Sequence, residues 1–240
     1  MKKLVFLSLA VLMMLAAISC KKDKATAPKV PESAVDLGIV MTREDGTTYK
    51  LYWAKSNLSE SGLCANSEDY GDYYAWGETS PKDIYGWSTY KFGTSKDGPF
   101  SKYNTDDNRT ILETGAEGDD VASKILGGKW RMPTKKEWEA LSSQCDWTWT
   151  DDYNYTGVAG VIVTGNVEGY KDKSIFLPAA GYWKDDGSLH DKGSYGDYWS
   201  SSLSTDTPSE AYLVWFGRKD VSWVYYYRYV GYSVRPVWEE

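Results

Sequence analysis

The residues that could break or make bonds in this chain are few, and they are poorly grouped. Among 240 residues there is one histidine, His190, set in Asp185-Asp-Gly-Ser-Leu-His. A lone imidazole in a turn-rich stretch works as a base only when a nucleophile and an orienting acid converge on it. Ser200, Ser201 and Ser202 lack the Gly-x-Ser-x-Gly setting that exposes a nucleophilic hydroxyl on a strand-to-helix turn. The acid pairs Asp106-Asp107, Asp151-Asp152 and Asp185-Asp186 offer glycosidase carboxylates or calcium ligands, yet none has the spacing of a calcium loop. They are expected as solvated turn residues, with calcium at one such loop as the alternative. No catalytic residue, metal set or cofactor is predicted.

Contact chemistry is the better-supplied alternative. The chain holds 20 tyrosines and 12 tryptophans, and they crowd its last stretch, Val221 to Val237. Tyr, Trp and Arg carry binding energy because each joins a large contact area to a polar tip. The run is too continuous for a half-buried strand, which alternates apolar and polar. A core strand filled with aromatics is the competing reading. The predicted ligand-binding residues are Arg218, Lys219, Asp220, Trp223, Tyr225, Tyr226, Tyr227, Tyr229 and Tyr232. Arg218 and Arg228 are available to anionic groups on a protein or glycan ligand.

These residues need a scaffold and an address. Lys2 and Lys3 precede an apolar run, Leu4 to Ile18, which is too short for a membrane span and has the layout of a signal peptide. Cleavage is expected after residue 19, leaving Cys20 at the new terminus. This resembles a bacterial lipobox, in which the cysteine is lipidated and anchors the protein in the outer membrane. Residues 20–34 are polar, proline-bearing and aperiodic, and are expected as a tether. Residues 35–240 suit one domain. Losing Lys2 and Lys3 takes the formal charge from −7 to −9. That acidity argues against a nucleic-acid partner. Cys64 and Cys145 remain. In an exported chain they suggest one disulfide, with two buried free thiols as the alternative.

Val35 to Trp53 is predicted as a hairpin turning at Glu44-Asp45-Gly46. Asp119 to Gly128 reads as a short helix with acids at its start and glycines at its end. Thr134 and Glu137 form a capping box for a second helix reaching Ser143 or Cys145. Between the first hairpin and the first helix lies a long irregular stretch, Thr79 to Gly115. Its Trp87, Tyr90, Phe92, Phe100 and Tyr103 could pin it to the body. After the second helix come short strands at Gly160–Gly165, Ser174–Gly181, Tyr195–Ser202, Ala211–Phe216, Ser222–Tyr227 and Tyr232–Val237. Two short helices among many short antiparallel strands indicate the α+β class.

Four stretches and the C-terminus together resemble a family. They are Tyr70-Gly-Asp-Tyr-Tyr-Ala-Trp-Gly-Glu, Gly127-Gly-Lys-Trp-Arg-Met-Pro-Thr-Lys-Lys-Glu-Trp, Ile175-Phe-Leu-Pro-Ala-Ala-Gly-Tyr, Tyr198-Trp-Ser-Ser-Ser and Gly231-Tyr-Ser-Val-Arg-Pro-Val. The pattern is similar to the Fibrobacter succinogenes major paralogous domain of Bacteroidetes surface lipoproteins. It implies a C-type lectin-like fold related to the formylglycine-generating enzymes, whose Arg-Leu-Pro-Thr…Glu-Trp helix start resembles Arg131-Met-Pro-Thr…Glu137-Trp138. Those enzymes bind copper through a late cysteine pair, and no cysteine follows Cys145, so their chemistry is not expected here. The calcium- and sugar-holding Glu-Pro-Asn and Trp-Asn-Asp elements of many C-type lectins are also missing. Some relatives are variable proteins of diversity-generating retroelements. The run from Val224 resembles an asparagine-rich template with its asparagines replaced; an ordinary tyrosine-rich member is the other reading. The resemblance implies a non-catalytic, cell-surface binding module for a protein or glycan. A structural subunit and a distant enzyme are the alternatives.

The anchor is directly testable. Cys20→Ala is expected to abolish metabolic labelling with palmitate and to shift the protein into the aqueous phase of a detergent partition. Unchanged partitioning would remove the anchor.

Overall fold

The computed structural model describes residues 29–104 and 108–240. The signal segment, Cys20, residues 20–28 of the predicted tether and the pair Asp106-Asp107 lie outside the described residues.

The first half of the chain forms β1 (Ala34–Thr42), β2 (Thr48–Ala54), β3 (Leu58–Ser59), β4 (Gly62–Leu63) and β5 (Tyr73–Tyr74). Helix α1 (Val121–Leu126), β6 (Trp130–Arg131) and helix α2 (Lys135–Gln144) follow. Then come β7 (Cys145–Thr150), β8 (Gly160–Gly165), β9 (Ser174–Pro178), β10 (Tyr182–Trp183) and β11 (Leu189–His190). The chain closes with β12 (Gly196–Leu203), β13 (Glu210–Phe216), β14 (Val221–Tyr227), β15 (Tyr232–Ser233) and β16 (Val237–Glu239). The fold is α+β, with short strands in several sheets and two helices among the described residues.

A four-stranded sheet runs β1-β2-β16-β6, and a five-stranded sheet runs β14-β13-β12-β15-β5. A third sheet, β7-β8-β9, follows α2. The expected first hairpin forms around Glu44-Asp45-Gly46, with a bulge between Asp36 and Ile39. The last aromatic segment, expected as one strand, divides. β15 joins the five-stranded sheet, and β16 crosses to the four-stranded sheet. Pro236 lies between them and has no N–H to extend a ladder. The N-terminal boundary also shifts. Lys55 N–H donates to Ser33 O, and Val30 packs beside Tyr52 and Trp238, so the end of the predicted tether is held on the body.

Strand β12 divides two hydrophobic clusters because alternate side chains point to opposite faces. Trp199 enters the larger cluster with Tyr74, Trp76, Leu213 and Tyr232. Tyr198 enters the second with Trp53, Trp138, Leu141, Val214 and Phe216. Their indoles bond to backbone carbonyls: Trp199 Nε1 to Tyr74 O (2.8 Å), Trp76 Nε1 to Ser200 O (2.9 Å) and Trp138 Nε1 to Trp199 O (3.3 Å). These three buried indoles therefore stitch strand to strand with their donors satisfied, whereas Trp53 Nε1 in the second cluster has no partner.

The expected disulfide is absent. Cys64 and Cys145 are both free. Cys145 packs in the cluster beneath α2, while Cys64 follows Leu63 of the separate small cluster around Trp130 and Trp238. Different clusters hold the two residues apart, and both are free thiols; of the alternative's two buried thiols Cys145 is buried and Cys64 half-buried. Burial pushes the Cys145 thiol up to about 12, so it stays protonated and unreactive near neutral pH.

Helix α2 starts as its capping box dictates. Thr134 Oγ1 accepts from Glu137 N–H (3.2 Å), and Glu137 Oε2 accepts from Thr134 N–H (2.7 Å). The same carboxylate takes a two-pronged Arg131 guanidinium (2.6 and 2.8 Å) and the Tyr49 hydroxyl (2.7 Å). Arg131 also reaches Glu239 on β16 (2.9 Å). The Arg131-to-Glu137 motif is thus a buried bolt between α2, β2, β6 and β16. Burial alone would push the Glu137 carboxyl up; Arg131, Thr134 and Tyr49 outweigh it and hold the group below the usual carboxylate range.

Glu137→Gln is expected to cost about 3 kcal/mol in denaturant unfolding at neutral pH, because it leaves much of the Arg131 charge unanswered. The sign of the pH effect follows from the lowered value. Wild type holds this stabilisation above the ordinary Glu pKa and loses it as pH falls through the folded value, whereas the variant lacks that component of acid sensitivity.

Candidate ligand-binding face

Strand β14 lies at the edge of the five-stranded sheet, paired only with β13. Its residues alternate between the two sides of the sheet. Val221, Trp223 and Tyr225 stand opposite Phe216, Val214 and Tyr212 on the side of α2. Ser222, Val224 and Tyr226 stand opposite Trp215, Leu213 and Ala211 on the side of the larger cluster. Exposure peaks at residues 224–226, and Tyr227 at the strand's end is half-buried again. Val224 is 38% exposed, Tyr225 51% and Tyr226 38%. Tyr225 meets the Tyr212 ring edge-on at 5.8 Å, and Lys135 of α2 lies 4.7 Å from that ring's centre.

Beside exposed Tyr225 and Tyr226 and buried Tyr232, the other predicted residues form two groups. Arg218, Lys219 and Asp220 form the exposed β13–β14 turn. Arg218 pairs with Asp151 and lies 5.7 Å from the Trp149 ring centre, so this turn leans on β7. Trp223, Tyr227 and Tyr229 are half-buried. Trp223 Nε1 is buried with no partner. Tyr227 and Tyr229 stack at 5.7 Å and both meet Trp87, which the long irregular stretch brings across from the other half of the chain.

Two expectations are corrected. Tyr232 does not project; it is buried against Trp199 at 4.6 Å, because β15 lies inside the sheet between β12 and β5. Arg228 is not open to an anionic ligand. It is fully buried, and it donates to the Tyr90 hydroxyl (2.8 Å), Tyr103 O (2.8 Å), Pro208 O (2.8 Å) and Lys102 O (3.1 Å). The chain turns after Tyr227, which directs this side chain inward. That is also why the described part of the irregular stretch is held by its own aromatics, as its composition suggested.

His190 contacts Ser188 Oγ (2.9 Å) and Asp186 Oδ2 (3.0 Å) through the same nitrogen, Nε2. A nucleophilic triad needs the acid on one ring nitrogen and the hydroxyl on the other. Ser200 Oγ donates to Tyr212 O, and Ser201 Oγ to Pro133 O, so both serines serve the scaffold. Among the described residues no group of three or more His, Cys, Asp or Glu side chains is placed to hold a metal ion.

Sequence reasoning passed over one residue on the larger cluster's side. Asp197 sits mid-strand in β12, only 5% exposed, with Oδ2 buried and unpartnered. It stands directly opposite Trp215, which stacks on Tyr195 at 5.0 Å. Tyr198 pairs with Ser233, which places Asp197 beside Tyr232. The Gly181–Gly196 bridge brings Tyr182 alongside. Gly181 has φ +64, and a Cβ there would stand 1.9 Å from His190 O, so this approach requires glycine. The only available signal was the repeated wording of Tyr70-Gly-Asp-Tyr in Tyr195-Gly-Asp-Tyr.

A domain of unknown function, DUF8237, matches residues 166–237. That span takes in β9 to β15, including the β13–β14 hairpin and Asp197. No curated protein and no solved structure matches the chain.

Burial, with Asp191 adding repulsion, pushes the Asp197 carboxyl up to about 7. A raised folded value means that the native state favours the protonated acid and loses stability as pH climbs from the ordinary Asp value toward about 7. Asp197→Asn is therefore expected to match wild type in thermal unfolding near about pH 4 and to exceed it near about pH 8. Equal melting temperatures across the series would contradict this.

Proposed function

We propose that this chain is a non-catalytic binding module, carried on the outer membrane by lipid at Cys20 and displaying the β13–β14 hairpin outward. The single observation that carries this reading is the exposure of Val224, Tyr225 and Tyr226 on an edge strand beside the charged turn Arg218–Asp220. Exposed aromatics grouped on rigid strands give contact area with little entropy to lose. The ligand is a protein or a glycan. The lectin-like fold, cell-surface placement and diversification of the hairpin by a retroelement belong to the same reading and rest on the sequence resemblance.

A second reading, a subunit of a surface assembly, is favoured by one observation. Residues 221–227 carry no charge and no proline on an open sheet edge. Such edges are normally blunted because they template strand pairing.

The test is selection on a glycan array and from a displayed peptide library, using the soluble domain. Tyr225→Ser with Tyr226→Ser is expected to weaken the selected ligand by roughly 30-fold or more while leaving the melting temperature unchanged. Undiminished binding by the double variant would place the face elsewhere. Concentration-dependent oligomers in light scattering, without any selected ligand, would favour the assembly.

A further inference from the structure

We propose that Asp197 and the rings around it form a site for an alkylammonium group of the kind a lysine side chain carries. This deepens the reading of the face as ligand-binding by naming a group the ligand bears.

The case begins with the other buried acids. Glu78 meets Lys82, Asp119 meets Lys91 and Lys102, Asp120 accepts from Ser123 and Met132 N–H groups, and Glu137 meets Arg131. Asp72, in the matching Tyr-Gly-Asp-Tyr wording, accepts from Glu60 N–H. Among the described residues, Asp197 is the buried acid with no hydrogen bond and no ion pair. An unanswered buried acceptor is costly, and a donor from outside the chain would relieve that cost.

The surroundings select what that partner is. Trp215 and Tyr232 flank Asp197 on its two neighbouring strands, and Tyr182 stands 5.8 Å from Tyr232, ring centre to ring centre. Asp197 is near enough to Tyr182 and Tyr232 to disfavour ionisation of both phenols, although burial is the larger cause in each. Ring faces attract cations, and a carboxylate in reach completes the recognition of an ammonium. Asp191 adds a second negative charge nearby. Neither local lysine pairs with Asp197: Lys184 lies over the outer ring of the group, 5.4 Å from the Tyr182 centre, and Lys192 lies 4.1 Å from the Tyr70 centre. His190 stacks behind Tyr182 and pairs with Asp186. Oδ2 is buried without a partner, and the residue as a whole keeps 5% of its surface exposed.

The probe is Nα-acetyl-lysine methylamide, with the norleucine analogue, which lacks the amine, as control. Titration of the full domain is followed by the NMR indole resonance of Trp215. Saturable shifts are expected with the lysine compound and none with the norleucine compound. Because a proton and the ammonium compete for one carboxylate, binding at about pH 6 is expected to be roughly tenfold weaker than at about pH 8. Asp197→Asn, a neutral isostere, is expected to lose both the binding and its pH dependence. Equal response to the two compounds, no saturable shift at either pH, or undiminished binding by Asp197→Asn would each overturn the site. Those results leave the Tyr225 and Tyr226 test untouched. Loss of that test with amine binding intact would remove the wider face instead.

Discussion

The Arg228 guanidinium is the constraint on which the placement of the aromatic face depends. It is a full charge removed from water with no carboxylate of the described residues in contact. Four donated hydrogen bonds answer it, and the rings of Trp76, Tyr90, Phe92 and Phe100 surround it, with Phe100 nearest at 4.7 Å. Desolvating an ion costs several kcal/mol, so the arrangement persists only if all of these partners are in place together. Three of the four hydrogen-bond partners, Lys102, Tyr103 and Tyr90, come from the long irregular stretch, as do the rings of Phe92 and Phe100. Pro208 comes from the β12–β13 connection. One side chain just past β14 therefore fixes that stretch, the hairpin's base and the turn that separates exposed Tyr226 from buried Tyr232.

Arg235 repeats the device one strand later. It donates to Asn57 Oδ1, Ala54 O and Phe176 O, again without a carboxylate, and burial lowers its pKa to about 10. Arg131 differs, since Glu137 and Glu239 neutralise it. The C-terminal segment thus carries two guanidiniums as internal pins, and its tyrosines take whatever space the pins leave. Tyr225 and Tyr226 remain at the edge. Tyr227 and Tyr229 close on Trp87. Asp197 lies between Trp215 and Tyr232, a buried acid with no counterpart among the described residues.

How much of this was legible follows the range of the interactions. The first hairpin, the capping box at Thr134 and Glu137, and the short acid-started helix were visible because each depends on neighbours within a few residues. The aromatics of the irregular stretch were recognised as pins, but the buried arginine that gathers them was not. An Arg within a tyrosine run looks like interface chemistry until the chain is seen to turn beneath it. The disulfide failed for a related reason: two cysteines imply a bond by number, whereas only packing says that they belong to separate clusters.

By itself the sequence determined the element types, the mixed class, the capping of α2 and the concentration of aromatic contact chemistry near the C-terminus. These are local matters of periodicity, turn residues and composition. The tertiary structure alone decided which tyrosines face water, that Arg228 and Arg235 are internal, that Cys64 and Cys145 stay apart, and that Asp197 is buried without a partner. Each of those depends on which strand lies beside which. β15 is enclosed and β14 is not, and that difference in sheet order, invisible in a run of similar residues, separates core from surface.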